Sequence, residues 1–242
     1  MKAKPYEKLS VVYNGLMKNV DYTSWSKYIL EIAEDYIEDD DRVLELASGN
    51  CKMADLISRK YKIFVATDIS LAMLKLGQNN GIEKICCDMT KLPFKENIDF
   101  VFSAFDSINY ILKQIVLSRL FKEVYLALKD NGIFSFDVSL ESNSIKFLIA
   151  KTTEDYYDGF SFTRINKYDK RNRIHSNRFI ITHNSGSQVI EVHKQKIYTI
   201  KTYFKLAEEA GLHTEACYDC FTFNDVNSES ERAQFVMRKI NL

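Results

Sequence analysis

Glycine is scarce in this chain, with 8 among 242 residues, and the loop after its first expected strand holds Gly49 alone where a dinucleotide loop needs G-x-G-x-x-G. A pyrophosphate requires backbone at each of those glycines, so a nicotinamide or flavin dinucleotide site is excluded there. Net charge is absent as well: 33 Lys and Arg balance 33 Asp and Glu. That balance argues against a general nucleic-acid or membrane-surface binder. No apolar run approaches the roughly 20 residues of a membrane span. No charged-then-apolar leader opens Met1 to Val20, so a cytoplasmic protein is expected. The 4 histidines are scattered without metal-ligand spacing, and no metal site is expected. The 5 cysteines are an odd set, which points to free thiols in a reducing compartment. Cys217 and Cys220 have C-x-x-C spacing but fall in an expected strand, where residues three apart face opposite ways. Cys86 and Cys87 read as buried strand residues.

What is present is a βαβ pattern from Arg42 to Asp68. Arg42 to Ala47 is a short apolar run closed by Ser48-Gly49-Asn50. From Cys51 the spacing turns helical, with Met53, Ala54, Leu56 and Ile57 apolar, and Ile63 to Thr67 then runs into Asp68. In an open parallel sheet a ligand lies beyond the carboxyl ends of the strands, so the loop at Ala47 to Asn50 and Asp68 face one crevice. The series continues. A helix is expected from about Leu71 to Gln78, and a third strand, Glu83 to Cys87, ends at Asp88. The fourth strand, Ile98 to Phe105, leads into Asp106-Ser107-Ile108-Asn109-Tyr110. A helix over about Lys113 to Lys129 is expected to stop at Asp130-Asn131-Gly132, with Gly132 left-handed, before a fifth strand at Ile133 to Val138.

The run Glu45-Leu46-Ala47-Ser48-Gly49-Asn50-Cys51 resembles the E/D-x-G-x-G-x-G signature of class I S-adenosylmethionine-dependent methyltransferases, with Ala and Cys standing for the outer glycines. With the carboxylates that follow, the resemblance covers about residues 42 to 138. It implies a Rossmann-like seven-stranded mixed α/β sheet of order 3-2-1-4-5-7-6, helices on both faces, and S-adenosylmethionine as cofactor. By position it gives Asp68 the ribose diol, Asp88 the adenine amine, and Ala104 to Phe105 the methionine end. The implied cofactor set also includes Glu45, Ala47, Ser48, Gly49, Ile69, Met73, Cys87 and Met89. A carboxylate suits a diol because it accepts from both hydroxyls, and charge-assisted bonds are about twice as strong as neutral ones.

Tyr13-Asn14-Gly15-Leu16-Met17, Val20-Asp21-Tyr22 and Trp25 resemble the aromatic N-terminal cap of bacterial small-molecule members, which makes Tyr13 and Trp25 lid candidates. Packing of two helices, one from Tyr6 to Met17 and one over about Thr23 to Tyr36, accounts for the same aromatics. After the fifth strand three antiparallel strands are expected, at Phe160 to Tyr168, Arg173 to His183 and Gln188 to Tyr198. They are similar to the inserted sheet of glycine-type and sugar-amine methyltransferases. A helix at Lys201 to Ala210 and strands near His213 to Phe223 and Ala233 to Ile240 complete the chain. The expected domains are a helical cap at 1-38, a cofactor-binding domain at 39-139 and 199-242, and a β insertion at 140-198 that covers the acceptor or contacts a second copy in a homodimer.

The implied reaction is in-line transfer of a methyl group to a nitrogen or oxygen atom of a small-molecule acceptor. Positioning supplies most of the rate in such a reaction, up to roughly 7 to 11 kcal/mol. An amine must be neutral to attack, so Asp106, Tyr110, His175 and His193 are candidates to take its proton. Two other readings stand beside this one. The glycine replacements at Ala47 and Cys51 suit a binding or regulatory module without turnover. The basic insert (Arg164, Lys167, Lys170, Arg171, Arg173, Arg178) suits an RNA acceptor, although solvated edge protection explains such a run more simply.

Overall fold

The computed structural model describes residues 6–78, 81–149 and 151–240. The ends of the expected domains at residues 1–5 and 241–242 lie outside them. The N-terminal segment is less regular than its apolar spacing suggests. A 3-10 turn at Leu9–Val12 passes into a single helical turn, α1 (Tyr13–Leu16). Leu9 and Val12 are drawn instead into a small cluster with Phe162, Phe179 and Ile181 of the insertion. The second helix, α2 (Tyr22–Glu34), is regular because its start is capped: the Asp21 carboxylate accepts from Ser24 N at 3.0 Å. Its face of Trp25, Tyr28, Ile29, Ile32 and Ala33 is buried.

The main sheet follows as β1 (Arg42–Leu46), α3 (Lys52–Ile57), β2 (Ile63–Asp68), α4 (Leu71–Leu74), β3 (Glu83–Cys86), β4 (Ile98–Ser103), α5 (Gln114–Ala127) and β5 (Leu128–Ser139). The central strands are buried along most of their length, from Val43 to Leu46 in β1 and from Phe100 to Ser103 in β4, as strands covered on both faces are. The expected helix after Asp68 stops at Leu74, one turn long. At the end of α5 the chain passes straight into β5, and the left-handed residue is Asn131 (φ 62°), not Gly132. Glycine is required at 132 for a different reason: a Cβ there would sit 2.9 Å from the Lys129 carbonyl and 3.2 Å from that of Asp99.

A short helix, α6 (Glu141–Lys146), opens the insertion, which has four strands and not three. These are β6 (Thr152–Tyr157), β7 (Phe160–Asp169), β8 (Ile174–His183) and β9 (Gln188–Lys196), in that order and antiparallel. The added edge strand, Thr-Thr-Glu-Asp-Tyr-Tyr, is mostly exposed and carries no apolar alternation to announce it. The chain returns through α7 (Ile200–Glu208) to the hairpin β10 (Leu212–Asp219) and β11 (Arg232–Lys239). Sheet order is β10-β11-β5-β4-β1-β2-β3. With the insertion left out of the count, that is the expected 3-2-1-4-5-7-6, and β11 pairs antiparallel with both neighbours.

Two apolar clusters cover the faces of this sheet. One joins α5 and α7 to Phe134, Phe136 and Phe235, with Phe136 and Phe235 stacked at 4.8 Å. The other joins α2 and α3 to Val43, Phe64, Phe100 and Phe102. Burying each such ring contributes about 1.5 to 3 kcal/mol, and together they hold the carboxyl ends of β1, β2, β3 and β4 in one row. All 5 cysteines are free; Cys217 lies in β10 and Cys220 just past its end, while Cys86 is exposed and Cys87 half-buried, not buried as expected, because β3 is the edge strand of the sheet.

Candidate active site

The loop after β1 has an unusual backbone. Ala47, Gly49 and Cys51 all have positive φ, 54°, 55° and 60°, so the left-handed geometry recurs at every second residue. Such a conformation costs a non-glycine residue roughly 1 to 2 kcal/mol. The fold tolerates it because Ser48 N is held by the Thr67 carbonyl at 2.8 Å and Cys51 N by that of Ser48 at 2.9 Å. Ala47 and Cys51 thus keep the shape that glycines would give.

That loop and Asp68 are one structure. Gly49 N donates to Asp68 Oδ2 at 2.8 Å and Ser70 N donates to Oδ1 at 2.7 Å, which fixes the plane of the carboxylate at the end of β2. Burial raises its pKa, and these two bonds act against that rise. Asp88, beyond β3, accepts both Thr90 N (2.9 Å) and Thr90 Oγ1 (2.8 Å) on Oδ1. Glu45 is 2% exposed, and its Oε2 has no partner among the described residues. Burial pushes its pKa up to about 8.

These groups wall a cavity of about 880 Å³. Of the residues expected there, Tyr13, Glu45, Ala47, Ser48 and Gly49 line it, as do Asp68, Ile69, Met73, Asp88, Met89 and Phe105. Trp25, Cys87 and Ala104 do not. Trp25 is turned away from the cavity into the seam behind Phe105, with ring centroids 4.5 Å apart, and stacks edge-on against Phe221 at 4.5 Å. Cys87 is turned to the Thr67 hydroxyl, and the small side chain of Ala104 is packed in the α2–α3 cluster. Asn50, at the end of the expected crevice loop, also lines the cavity, as do Tyr6, Ser70 and Thr90, which no motif marks.

Beside it lies a second cavity of about 300 Å³, and Tyr6, Tyr13, Phe105 and Tyr110 are common to the walls of both. Its floor is the turn after β4, where Phe105 and Asp106 are both left-handed (φ 60° and 50°). The Asp106 amide donates to Asp137 Oδ2 at 2.8 Å, and the Asp106 carboxylate accepts from Gln195 at 2.8 Å and Arg232 at 3.4 Å. Arg232 also pairs closely with Asp137. Burial raises the Asp137 pKa to about 6 against the pull of Arg232. The roof is the inner face of the insertion sheet.

That face is polar. His175, Asn177, Glu191, His193 and Gln195 are buried there, while Ile190 and Val192 on the outer face are about 41% exposed. This inverts the usual patterning of a one-sided antiparallel sheet. Among the four histidine and acid candidates, His175 lines the second cavity, with its pKa lowered by burial and then by nearby Arg164. His193 sits just behind the wall: Tyr110 Oη is 3.0 Å from its Nδ1, and Glu191 Oε1 is 2.8 Å from its Nε2. Tyr6 Oη is 2.7 Å from Tyr110 Oη. The Glu191 carboxylate also accepts Lys8 N (3.0 Å), Leu9 N (2.9 Å) and, closely, Tyr6 N. Despite burial, these bonds hold its pKa below the usual value. Neither Tyr6 nor Glu191 was singled out by the sequence, since Tyr6 precedes every motif and Glu191 is one of 33 acids. Strand alternation was the available signal for Glu191: every second residue from Glu191 to Gln195 is polar and faces inward.

Comparison with known proteins places this geometry. Residues 43–132 match the model of a methyltransferase domain family. The protein YqeM of Bacillus subtilis, whose name proposes a methyltransferase, is 25% identical over 97% of each chain. An S-adenosylmethionine-dependent methyltransferase from Clostridium acetobutylicum has the same fold, with a TM-score of 0.80, 24% identity, and coverage of 98% of this chain and 100% of that one. The sugar N-methyltransferase KedS8 from a Streptoalloteichus species superposes with a TM-score of 0.78 at 16% identity, over 97% of this chain and 94% of the other. The insertion sheet is part of these alignments, since they span nearly the whole chain. The strand order and the carboxylates beyond β2 and β3 agree with these likenesses: the chain resembles S-adenosylmethionine-dependent methyltransferases in fold, and residues 43–132 are similar to a methyltransferase domain.

Proposed function

We propose that the chain transfers the methyl group of S-adenosylmethionine to a nitrogen or oxygen atom of a small-molecule acceptor bound in the 300 Å³ cavity. The observation that carries this reading is the wall of Tyr6, Tyr13, Phe105 and Tyr110 common to the two cavities, which puts a donor space and a smaller acceptor space side by side. The residues of the larger cavity suit the donor. Asp68 offers a fixed, largely buried carboxylate for a diol, and Asp88 keeps Oδ2 free of any bond among the described residues. The unpartnered Glu45 oxygen suits an ammonium group. Bound there, S-adenosylmethionine supplies an electrophilic methyl on sulfur.

The chain's own residues align the acceptor and take up its proton. With His193 neutral, Nε2–H donates to Glu191 and Nδ1 accepts from the Tyr110 hydroxyl, whose oxygen accepts from Tyr6. Burial raises the pKa of both phenols, so each stays a neutral relay. A proton leaving the acceptor at Tyr6 can move along this row to His193, where Glu191 stabilises the imidazolium. The small volume of the second cavity, about 300 Å³, suits a metabolite better than RNA, and the outward Arg178 leaves no continuous basic groove with the inward Arg164. The preserved loop geometry at Ala47 and Cys51 removes the motive for a module without turnover.

The test is a screen of metabolite and transfer-RNA pools with methyl-labelled donor. Label in a low-molecular-weight product supports the reading. Label confined to RNA, or none in any pool, refutes it.

A further inference from the structure

We infer that the acceptor carries a carboxylate, held in the second cavity by the guanidinium of Arg164; this rests on the reading of that cavity as the acceptor site. Arg164 differs from the other basic residues of the insertion. The register pairs Arg164 with Phe179 and Phe179 with Glu191, all three on the inner face, whereas Ile165 pairs with the exposed Arg178 on the outer one. Arg173, by contrast, is paired with Glu141 at 2.8 Å.

Among the described residues Arg164 has no ion-pair partner within 4.0 Å. Its Nε donates to Asn177 Oδ1 at 2.8 Å, which orients the fork, and its guanidinium lies 5.0 Å from the Phe147 ring centre and 6.0 Å from that of Phe179. One nitrogen is satisfied and the two terminal ones are left for the cavity. A half-buried guanidinium against aromatic rings without a counter-ion is costly unless a ligand supplies one. The charges facing the cavity do not supply it. Asp106 acts on Arg164 at a distance, but its carboxylate is taken by Gln195 and Arg232, and Arg232 is shared with Asp137. Burial lowers the pKa of His175, so it adds no second cation.

The fork geometry selects among anions. Two parallel N–H groups match the two oxygens of a planar carboxylate. A volume of about 300 Å³ is at the small end of ligand sites, and one unpaired cation, with the cavity's other guanidinium, Arg232, taken by Asp106 and Asp137, is a poor phosphate cradle.

Ligand-observed NMR with acetate, its neutral isostere acetamide and inorganic phosphate tests this on the full chain. Controls are Arg164→Met, which keeps the stem, and Arg178→Met, which removes an outward charge. The expected result is saturable acetate binding, none for acetamide, weaker binding of phosphate, and a loss of roughly 10- to 100-fold in Arg164→Met alone. Equal binding of acetate and acetamide, preference for phosphate, no saturable acetate binding, or no effect of Arg164→Met overturns it. Should Arg164→Met fail to fold, the three-probe comparison on the unaltered protein decides by the same criteria. Parallel titration with S-adenosylmethionine separates the claims, because a protein that binds acetate through Arg164 but not the donor fails the parent reading and not this one.

Discussion

The Tyr110 hydroxyl lies 3.0 Å from Nδ1 of His193, and Nε2 of that ring is held at 2.8 Å by Glu191, a residue that simultaneously binds the backbone of the N-terminal segment. The proposed proton row and the N-terminal segment therefore share one buried carboxylate. If Tyr110 passes the acceptor proton to His193, Tyr110→Phe and His193→Gln each lower kcat by about 10² or more, with donor affinity changed little. Steady-state kinetics across pH check this. A loss confined to KM would assign Tyr110 to binding alone.

Glu191 gives a second prediction. Replacing it by Ala leaves the amides of Tyr6, Lys8 and Leu9 without their acceptor, at about 1 to 3 kcal/mol for each that stays buried. Hydrogen exchange at Leu9 should quicken by orders of magnitude, while amides of β1 and β4 change only with global stability. The pH dependence follows from the lowered pKa of Glu191. Its stabilising effect is complete above the ordinary carboxylate pKa and fades as pH falls through the lower folded value.

Glu45 has the opposite sign. Its folded pKa is about 8 against 4.5 for the free side chain, so between those values the folded state keeps a proton that the unfolded chain has lost. Stability of the ligand-free protein should fall as pH rises across that window, by a few kcal/mol at most, and Glu45→Gln should flatten the fall. Urea midpoints at about pH 5 and about pH 8 provide the check.

Ala47 tests the loop. At φ 54° alanine is strained, so Ala47→Gly should leave stability unchanged or raise it by up to about 1 kcal/mol, the relief being partly offset by the added freedom of the unfolded chain. Ala47→Val, β-branched in the left-handed region, should lose about 1 to 2 kcal/mol and weaken donor binding. Equal midpoints for Gly and Val would contradict the strain argument.

Much of this architecture was legible because its signals are local. Val43, Leu44 and Leu46 and the run Phe100 to Phe102 are apolar on both faces, as covered strands are, and Asp68 and Asp88 stand at the carboxyl ends of the neighbouring strands. What stayed hidden depends on distant partners. Trp25 reads as a lid but is drawn into the seam between Phe105 and Phe221, more than 190 residues away in the latter case. The edge strand at Thr152–Tyr157 has no alternation of its own and exists because β7 offers it a ladder. Arg164 was lost in a basic run whose members the strand period splits between two faces. Tyr6 gains its place only when Glu191, 185 residues later, binds its amide.

The central claim is that Asp68 and the left-handed loop form the donor site. Calorimetric titration with S-adenosylmethionine, on the unaltered chain and on Asp68→Ala, tests it most directly. The account predicts saturable binding that weakens by about 10- to 100-fold in the variant. Binding of equal strength in the two proteins, or none in either, would contradict it.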